Sequence, residues 1–271
     1  MARAKPTPLQ LRILSALVLA PLALGAVWAG GRWVLALVLL GVAAMGWEWA
    51  GLVVRGGFNA TAAFIPMTGL AAIAALGLGA GAGLAGLIAV LGALLVLATA
   101  AASGKAEPLW AAAGTFWIAL GAGAFLALAL LPEKAHVTTY WLLAVVWAND
   151  IAAYAAGRSI GGPKLARHLS PNKTWAGFAG GMAASGLAGA LMGLASGANL
   201  GTLAGVSLLL GLAAQLGDLA ESWAKRHFGV KDASRLIPGH GGLLDRVDGL
   251  LAASILAGAM TLAAGRSPLL W

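Results

Sequence analysis

The sequence predicts an all-α, polytopic integral membrane protein with about nine transmembrane helices. Three observations predict it. Of 271 residues, 61% are hydrophobic and only 10% are charged, against about 25% charged in ordinary soluble domains. Apolar runs recur along the whole chain, each near the roughly 20 residues that a helix needs to cross a bilayer. Basic residues fall almost wholly on alternate loops. Nine carboxylates and 17 Lys/Arg cannot cover a water-soluble globule of this length, and disorder requires low hydrophobicity. The chain has no cysteine, so disulfides, thiolate zinc sites and cysteine nucleophiles are excluded.

The spans are read at about 11–29, 33–53, 60–78, 83–101, 109–131, 137–156, 177–196, 200–219 and 248–265. The first follows Arg3, Lys5 and Arg12. Its apolar stretch exceeds the 7–15 residues of a typical signal-peptide core, so it is expected as a retained helix. The chain is divided into residues 1–136, with five spans, and residues 137–271, with four spans. Only segments 157–176 and 220–247 read as true polar excursions. In the later spans Gly177 and Gly181, Gly189 and Gly193, and Gly193 and Gly197 are spaced for close helix contact.

Charge orients the bundle. With nine spans, one face holds Arg3, Lys5, Arg12, Arg55, Lys105, Arg158, Lys164, Arg167, Lys173, Lys225, Arg226, Lys231, Arg235 and Arg246; the other holds Arg32, Lys134 and Arg266. A split of 14 against 3 puts the basic face, the N-terminus and both polar excursions in the cytoplasm. The net charge of +8 therefore follows from topology and implies no nucleic-acid partner.

Carboxylates in apolar helices are costly unless paired or metal-bound, which makes them functional candidates. Glu107 and Glu133 lie in short loops and need no function. Glu48, in Trp47-Glu48-Trp49, is either a packing partner or a site residue. Asp150, Asp218, Asp245 and Asp248 all fall near the cytoplasmic ends of spans. Asp245 and Asp248 share one face of a helix starting near Leu243. Together with Asp218 they offer hard oxygen ligands for Mg²⁺, which binds through a few carboxylates and substrate phosphate. The alternative is that each pairs with a nearby Lys or Arg, such as Arg246.

The neighbouring loops supply the complementary chemistry. Pro238-Gly239-His240-Gly241-Gly242 can bring backbone N–H groups to a phosphate. Ser170 or Thr174 can donate to phosphate oxygen, and Lys173 adds positive charge. Carboxylates for Mg²⁺, cations for phosphate and a glycine turn at the membrane edge suit phosphoryl or nucleotidyl transfer.

These same residues carry a resemblance. Ser222-Trp223-Ala224-Lys225-Arg226, Lys231-Asp232, Ile237-Pro238-Gly239-His240-Gly241-Gly242 and Asp245-Arg246-Val247-Asp248 resemble the signature of the phosphatidate cytidylyltransferase (CDP-diacylglycerol synthase) family. Asn149-Asp150, Ser170-Pro171-Asn172-Lys173-Thr174 and Gly217-Asp218 are similar to further elements of it. The resemblance is strongest over about 149–256. Ala224 departs from it, standing where a larger apolar residue is expected.

The resemblance implies transfer of CMP from CTP to phosphatidate at a polar cavity facing the cytoplasm and open to the bilayer, in a bacterial inner membrane. It implies Mg²⁺ on Asp218 and Asp245 with Asp248 close by, allows a second cation such as K⁺, and leaves room for a homodimer. Lys173, Lys225, Arg226, Lys231, His240 and Asp248 are the expected catalytic set. Asp150, Ser170, Asn172, Lys173, Thr174 and Arg246 are the expected substrate contacts, with Arg246 alternatively paired to Asp248. His240 either protonates pyrophosphate or holds its turn. Two rivals remain. A CTP-dependent polyprenol or phytol kinase would release CDP and a lipid phosphate. A transporter would place carboxylates near the midplane.

Overall fold

The computed structural model describes residues 8–271. Arg3 and Lys5, assigned above to the basic face, lie outside the described residues, as does the side chain of Arg12. Nine α-helices form the described chain: α1 (Pro8–Ala29), α2 (Gly31–Val53), α3 (Ala60–Gly77), α4 (Gly81–Ser103), α5 (Pro108–Ala129), α6 (Ala135–Ser159), α7 (Trp175–Ser196), α8 (Leu200–His227) and α9 (Leu244–Ala264). A short antiparallel hairpin, β1 (Lys164–Ala166) and β2 (Ser170–Thr174), interrupts the helices between α6 and α7.

The architecture is that of a polytopic membrane protein. Helices α2 to α5 and α7 to α9, seven in all among the described residues, are long and apolar enough to cross a bilayer. Two expected spans fall outside that set. Helix α6 is 25 residues long but carries Asn149, Asp150 and Arg158 in its second half. Of α1, Leu17–Ala29 stands among the described residues as a shorter apolar helix.

Side-chain caps set several boundaries. Asn59, Thr174 and Asn199 each accept a hydrogen bond from the backbone N–H three residues on, starting α3, α7 and α8. The polar excursions are narrower than the sequence indicates. Helix α8 runs on to His227, ending in Lys225, Arg226 and His227, cations that complement the negative end of the helix dipole. The first excursion folds partly as the hairpin.

Glycines set how closely the helices approach. A Cβ at Gly177 would sit 2.7 Å from the Ala153 carbonyl oxygen, and one at Gly181 would sit 3.1 Å from the Asn149 carbonyl oxygen. The expected pair thus seats α7 directly on the backbone of α6. Gly189 does the same against α8 at Leu203 and Ser207. Gly193 abuts the backbone of Leu200 at the start of α8, whereas Gly197 ends α7 with φ 71°.

One end of the bundle is laced together by its loops. The Arg55 amide donates to the Lys105 carbonyl at 2.7 Å, joining the α2–α3 and α4–α5 connections. Glu107 meets His227 at 2.7 Å and Arg55 at 3.7 Å. Arg226 donates to the Leu169 carbonyl beside the hairpin and to the Val230 carbonyl beyond α8. This end carries the basic loops. At the other end Thr138 and Ser267 hydroxyls meet at 2.7 Å, and Tyr140 donates to the Leu24 carbonyl at 3.0 Å.

Candidate functional site

At the laced end, α6, the hairpin, α7, α8 and α9 enclose a cavity of about 730 Å³. Asp150, Asp218, Asp232, Asp245 and Asp248 line it, with Lys173, Lys225, Arg158 and Arg246. Carboxylates from three helices and one loop therefore converge with cations in one space. Asn172 and Thr174 also line it, while Thr174 caps α7.

Close backbone contact between α8 and α9 produces part of this convergence. A Cβ on Gly217 would lie 2.8 Å from the Asp248 carbonyl oxygen, and one on Gly249 would lie 3.1 Å from the Ala214 carbonyl oxygen. Asp218 and Asp248 are the chain neighbours of these two crossing glycines. Asp218 ion-pairs with Lys173 at 2.6 Å, and both side chains are partly exposed. Asp248 Oδ1 accepts from the Gly249 amide at 2.8 Å. Among the described residues Arg246 and Asp248 form no ion pair, because that carboxylate points back to its own helix backbone while Arg246 is exposed.

Asp245 is held differently. Its side chain is only 2% exposed and meets Lys225 at 2.6 Å. It also accepts from the Gly242 amide at 2.8 Å and the Ala233 amide at 3.1 Å. Lys225 bridges it to Glu221, 2.5 Å away and one turn back on α8. Glu48 completes this anchor from α2. It accepts from the Ser234 hydroxyl at 2.6 Å and from the Leu243 and Leu244 amides at 2.8 and 2.7 Å. Those amides belong to the orphan donors of a helix start, where a carboxylate is favoured. Gly242 leaves room for both carboxylates: a Cβ would lie 2.9 Å from Glu48 Oε1 and 3.1 Å from Asp245 Oδ2.

Four expected residues lie off the cavity wall. Ser170 sits in β2 without lining the cavity. Arg226 braces backbone carbonyls, and Lys231 is exposed beyond α8. His240 Nδ1 meets the Ser15 hydroxyl of α1 at 2.6 Å, within a turn closed by the Ile237 amide on the Gly241 carbonyl at 2.8 Å. That geometry makes His240 part of the turn's support. Sequence reasoning passed over Tyr154, Arg158 and Gln215 as wall residues. Helical spacing carried the signal: Tyr154 and Arg158 follow Asp150 by four and eight residues, and Gln215 precedes Asp218 by three.

Among the described residues no three acidic or histidine side chains stand together as a ready-made metal cage. Mg²⁺ does not need one, since it retains waters and binds through one or two carboxylates plus substrate phosphates. Hard carboxylate oxygens on Asp218 and Asp248, next to a wall of cations that suits phosphate, fit that mode. Asp245 fits it less well, because Lys225 and two amides already occupy its oxygens.

Comparison with known proteins accords with this chemistry. The chain is 44% identical over 259 residues to the phosphatidate cytidylyltransferase of Brucella suis biovar 1 (strain 1330), covering 92% of this chain and 91% of that protein. It is 43% identical over the same coverage to the phosphatidate cytidylyltransferase of Brucella abortus biovar 1 (strain 9-941). With the phosphatidate cytidylyltransferase of Staphylococcus aureus (strain COL) it shares 46% over 121 residues, 44% of this chain and 46% of that one. The Cytidylyltransferase family profile matches residues 10–263, nearly the whole sequence, and the chain belongs to that family.

Proposed function

We infer that this protein is a phosphatidate cytidylyltransferase, an integral membrane nucleotidyltransferase that moves CMP from CTP to phosphatidate and so makes CDP-diacylglycerol and pyrophosphate for phospholipid synthesis. The observation that carries the reading is the single cavity in which carboxylates of α6, α8 and α9 face Lys173, Lys225, Arg158 and Arg246. The relatives named above support the choice of substrates.

A phosphate oxygen of phosphatidate attacks the α-phosphorus of CTP. The new P–O bond forms as the bond from the α-phosphorus to the bridging oxygen breaks, and pyrophosphate leaves with that electron pair. A phosphomonoester carries about −1.5 to −2 charge at pH 7, so it is a competent nucleophile and needs no general base. The obstacle is bringing two polyanions together. Lys173, Lys225, Arg158 and Arg246 offset that charge, and the cavity holds the partners in line. Asp218 and Asp248 are the residues that would hold Mg²⁺, with Asp245 beside them on the same wall setting Lys225 and the start of α9. When bound, the ion neutralises nucleotide phosphate charge and polarises the α-phosphoryl oxygen. Asn172 and Thr174 are suited to hydrogen-bond phosphate or ribose oxygens.

The basic loops favour an active site facing the cytoplasm of a bacterial inner membrane, with the N-terminus on the same side. Phosphatidate stays in the bilayer, since each buried CH₂ is worth about 0.8 kcal/mol. CTP arrives from water, and a cavity at helix ends serves both.

Purified protein incubated with phosphatidate and CTP labelled at the α- or the γ-phosphate tests this. The α-label should appear in CDP-lipid and the γ-label in pyrophosphate, with both lost when Mg²⁺ is chelated. Transfer of the γ-label to lipid with release of CDP would establish a kinase instead.

A further inference from the structure

Phosphate charge in the polar cavity is met by cations, but a nucleobase needs a different surface, flat and uncharged. The wall offers one. Tyr154 and Phe178 are the aromatic residues on it. Phe178 is partly buried and meets Trp175 edge-on, with centroids 5.7 Å apart. Tyr154 is 69% exposed and meets no other ring among the described residues. Its hydroxyl accepts from Arg158 Nη1 at 3.3 Å, a contact at the tip of the ring rather than on its faces.

Position favours a nucleotide on that ring. Asp150, Tyr154 and Arg158 are spaced four residues apart, so they stand in a row on one face of α6, about 6 Å per step. All three line the cavity. The row runs from the carboxylates toward the end of α6 at Ser159, beyond which the hairpin follows. Tyr154 thus lies on the loop side of the carboxylates, away from the apolar middle of the bundle. In a nucleotide whose α-phosphate sits among Asp150, Asp218 and Asp248, the ribose carries the base roughly one such step from the phosphorus. The acyl chains of phosphatidate lead the opposite way, into the bilayer. A tyrosine near a helix end is also a common membrane-interface anchor. Here its neighbours on the helix face, Asp150 and Arg158, are charged and line the same cavity, a poor setting for lipid.

We propose that Tyr154 is the platform on which the cytosine ring of CTP stacks, with Arg158 steadying the phenol by its tip. This rests on CTP being the nucleotide, as inferred above. It divides the cavity, with the triphosphate at the carboxylates and cations and the base one turn along α6 toward the loops. Stacking on an aromatic ring accepts any base, so Tyr154 supplies affinity for a nucleotide over bare triphosphate and does not by itself select cytosine.

The test measures KM for CTP at saturating phosphatidate, and the reverse, in wild type, Tyr154→Phe and Tyr154→Leu at excess Mg²⁺. Losing one stacked base corresponds to about tenfold in affinity. Tyr154→Leu should therefore raise KM for CTP about tenfold and leave KM for phosphatidate unchanged, while Tyr154→Phe, which keeps the ring, should stay within about twofold of wild type. Inorganic triphosphate, which has no base, should inhibit wild type and Tyr154→Leu with the same Ki. An unchanged KM for CTP in Tyr154→Leu overturns the assignment. So does a rise in KM for phosphatidate instead, which would give the ring to the lipid, or a triphosphate Ki that rises in parallel, which would mean that the whole site was disturbed. Wild type decides even if the leucine variant does not fold: ribose 5′-triphosphate should inhibit about tenfold more weakly than α,β-methylene-CTP, and equal inhibition overturns the platform. Absence of CDP-lipid in wild type would instead remove the cytidylyltransferase reading, and this inference with it.

Discussion

Two groups of carboxylates at the cavity, one facing its space and one holding the turn and helix start beside it, serve opposite ends. Asp218 and Asp248 stand where α8 crosses α9 and present oxygens to a space of about 730 Å³. Glu48 and Asp245, which both border Gly242, spend their oxygens largely on backbone amides. Between them they accept from the Ala233, Gly242, Leu243 and Leu244 amides. The first pair faces the cavity, Asp218 on Lys173 and Asp248 with one oxygen on the Gly249 amide; the second fixes where α9 begins and therefore where Asp248 stands. An acidic residue in an apolar helix thus marks a site region without saying which of the two roles it fills.

The largest expected effect comes from the cavity pair. Asp218→Asn or Asp248→Asn should cut kcat on the order of 10³-fold, equivalent to several kcal/mol of lost metal-assisted charge stabilisation. Thermal stability should hardly move. The Asp218–Lys173 pair is partly exposed and worth at most about 1 kcal/mol, while Asp248→Asn removes a charge that has no ion-pair partner among the described residues. Turnover and thermal unfolding in detergent check both halves of the expectation. A variant that lost stability as sharply as activity would move its residue into the anchor.

Much of this was legible in the sequence, and the remainder was hidden for a physical reason. The apolar runs, the alternation of basic loops and the i,i+3 spacing of Asp245 and Asp248 are local patterns, so the bundle and the gathering of carboxylates at one end could be read directly. Glu48 was left between packing and site because its partners are Leu243 and Leu244, on a helix 195 and 196 residues away. No periodicity encodes such a contact. His240 was left between protonating pyrophosphate and holding its turn, and the structure sets its ring against Ser15 of α1 in a turn closed by the Ile237 amide on the Gly241 carbonyl; a flexible loop sequence states the possible conformations and leaves the choice to its neighbours. The continuation of α8 through Lys225 was missed because polarity was read as a loop, although a helix end that leaves the membrane is also polar.

Asp245→Asn comes next in size and has a different signature. It breaks a buried contact with Lys225 at 2.6 Å, a change that costs up to about 3–5 kcal/mol when the remaining charge is left alone. Glu221 stays beside Lys225 at 2.5 Å, so about 3 kcal/mol is the ceiling expected here. Activity should fall about 10²-fold together with a lowered unfolding midpoint. Full loss of turnover with an unchanged midpoint would return Asp245 to the metal-binding group.

Glu48→Gln should have the smallest effect of the series. The amide keeps one acceptor oxygen for the Leu243 or Leu244 N–H but sets an NH₂ group against the other donor. Hydrogen bonds to a charged group contribute about 1.5–3 kcal/mol each, and losing roughly one of them predicts a drop of several degrees in the midpoint. Because Glu48 touches the α9 start and Ser234 but not the large cavity, kcat should fall less than tenfold, and KM for CTP should follow only through displacement of Asp248. Glu48→Ala removes every acceptor and should deepen both losses in step. Proportional loss across the two variants is what an anchor predicts, whereas abolished turnover in Glu48→Gln at an unshifted midpoint would mean that this carboxylate reaches the reacting groups itself.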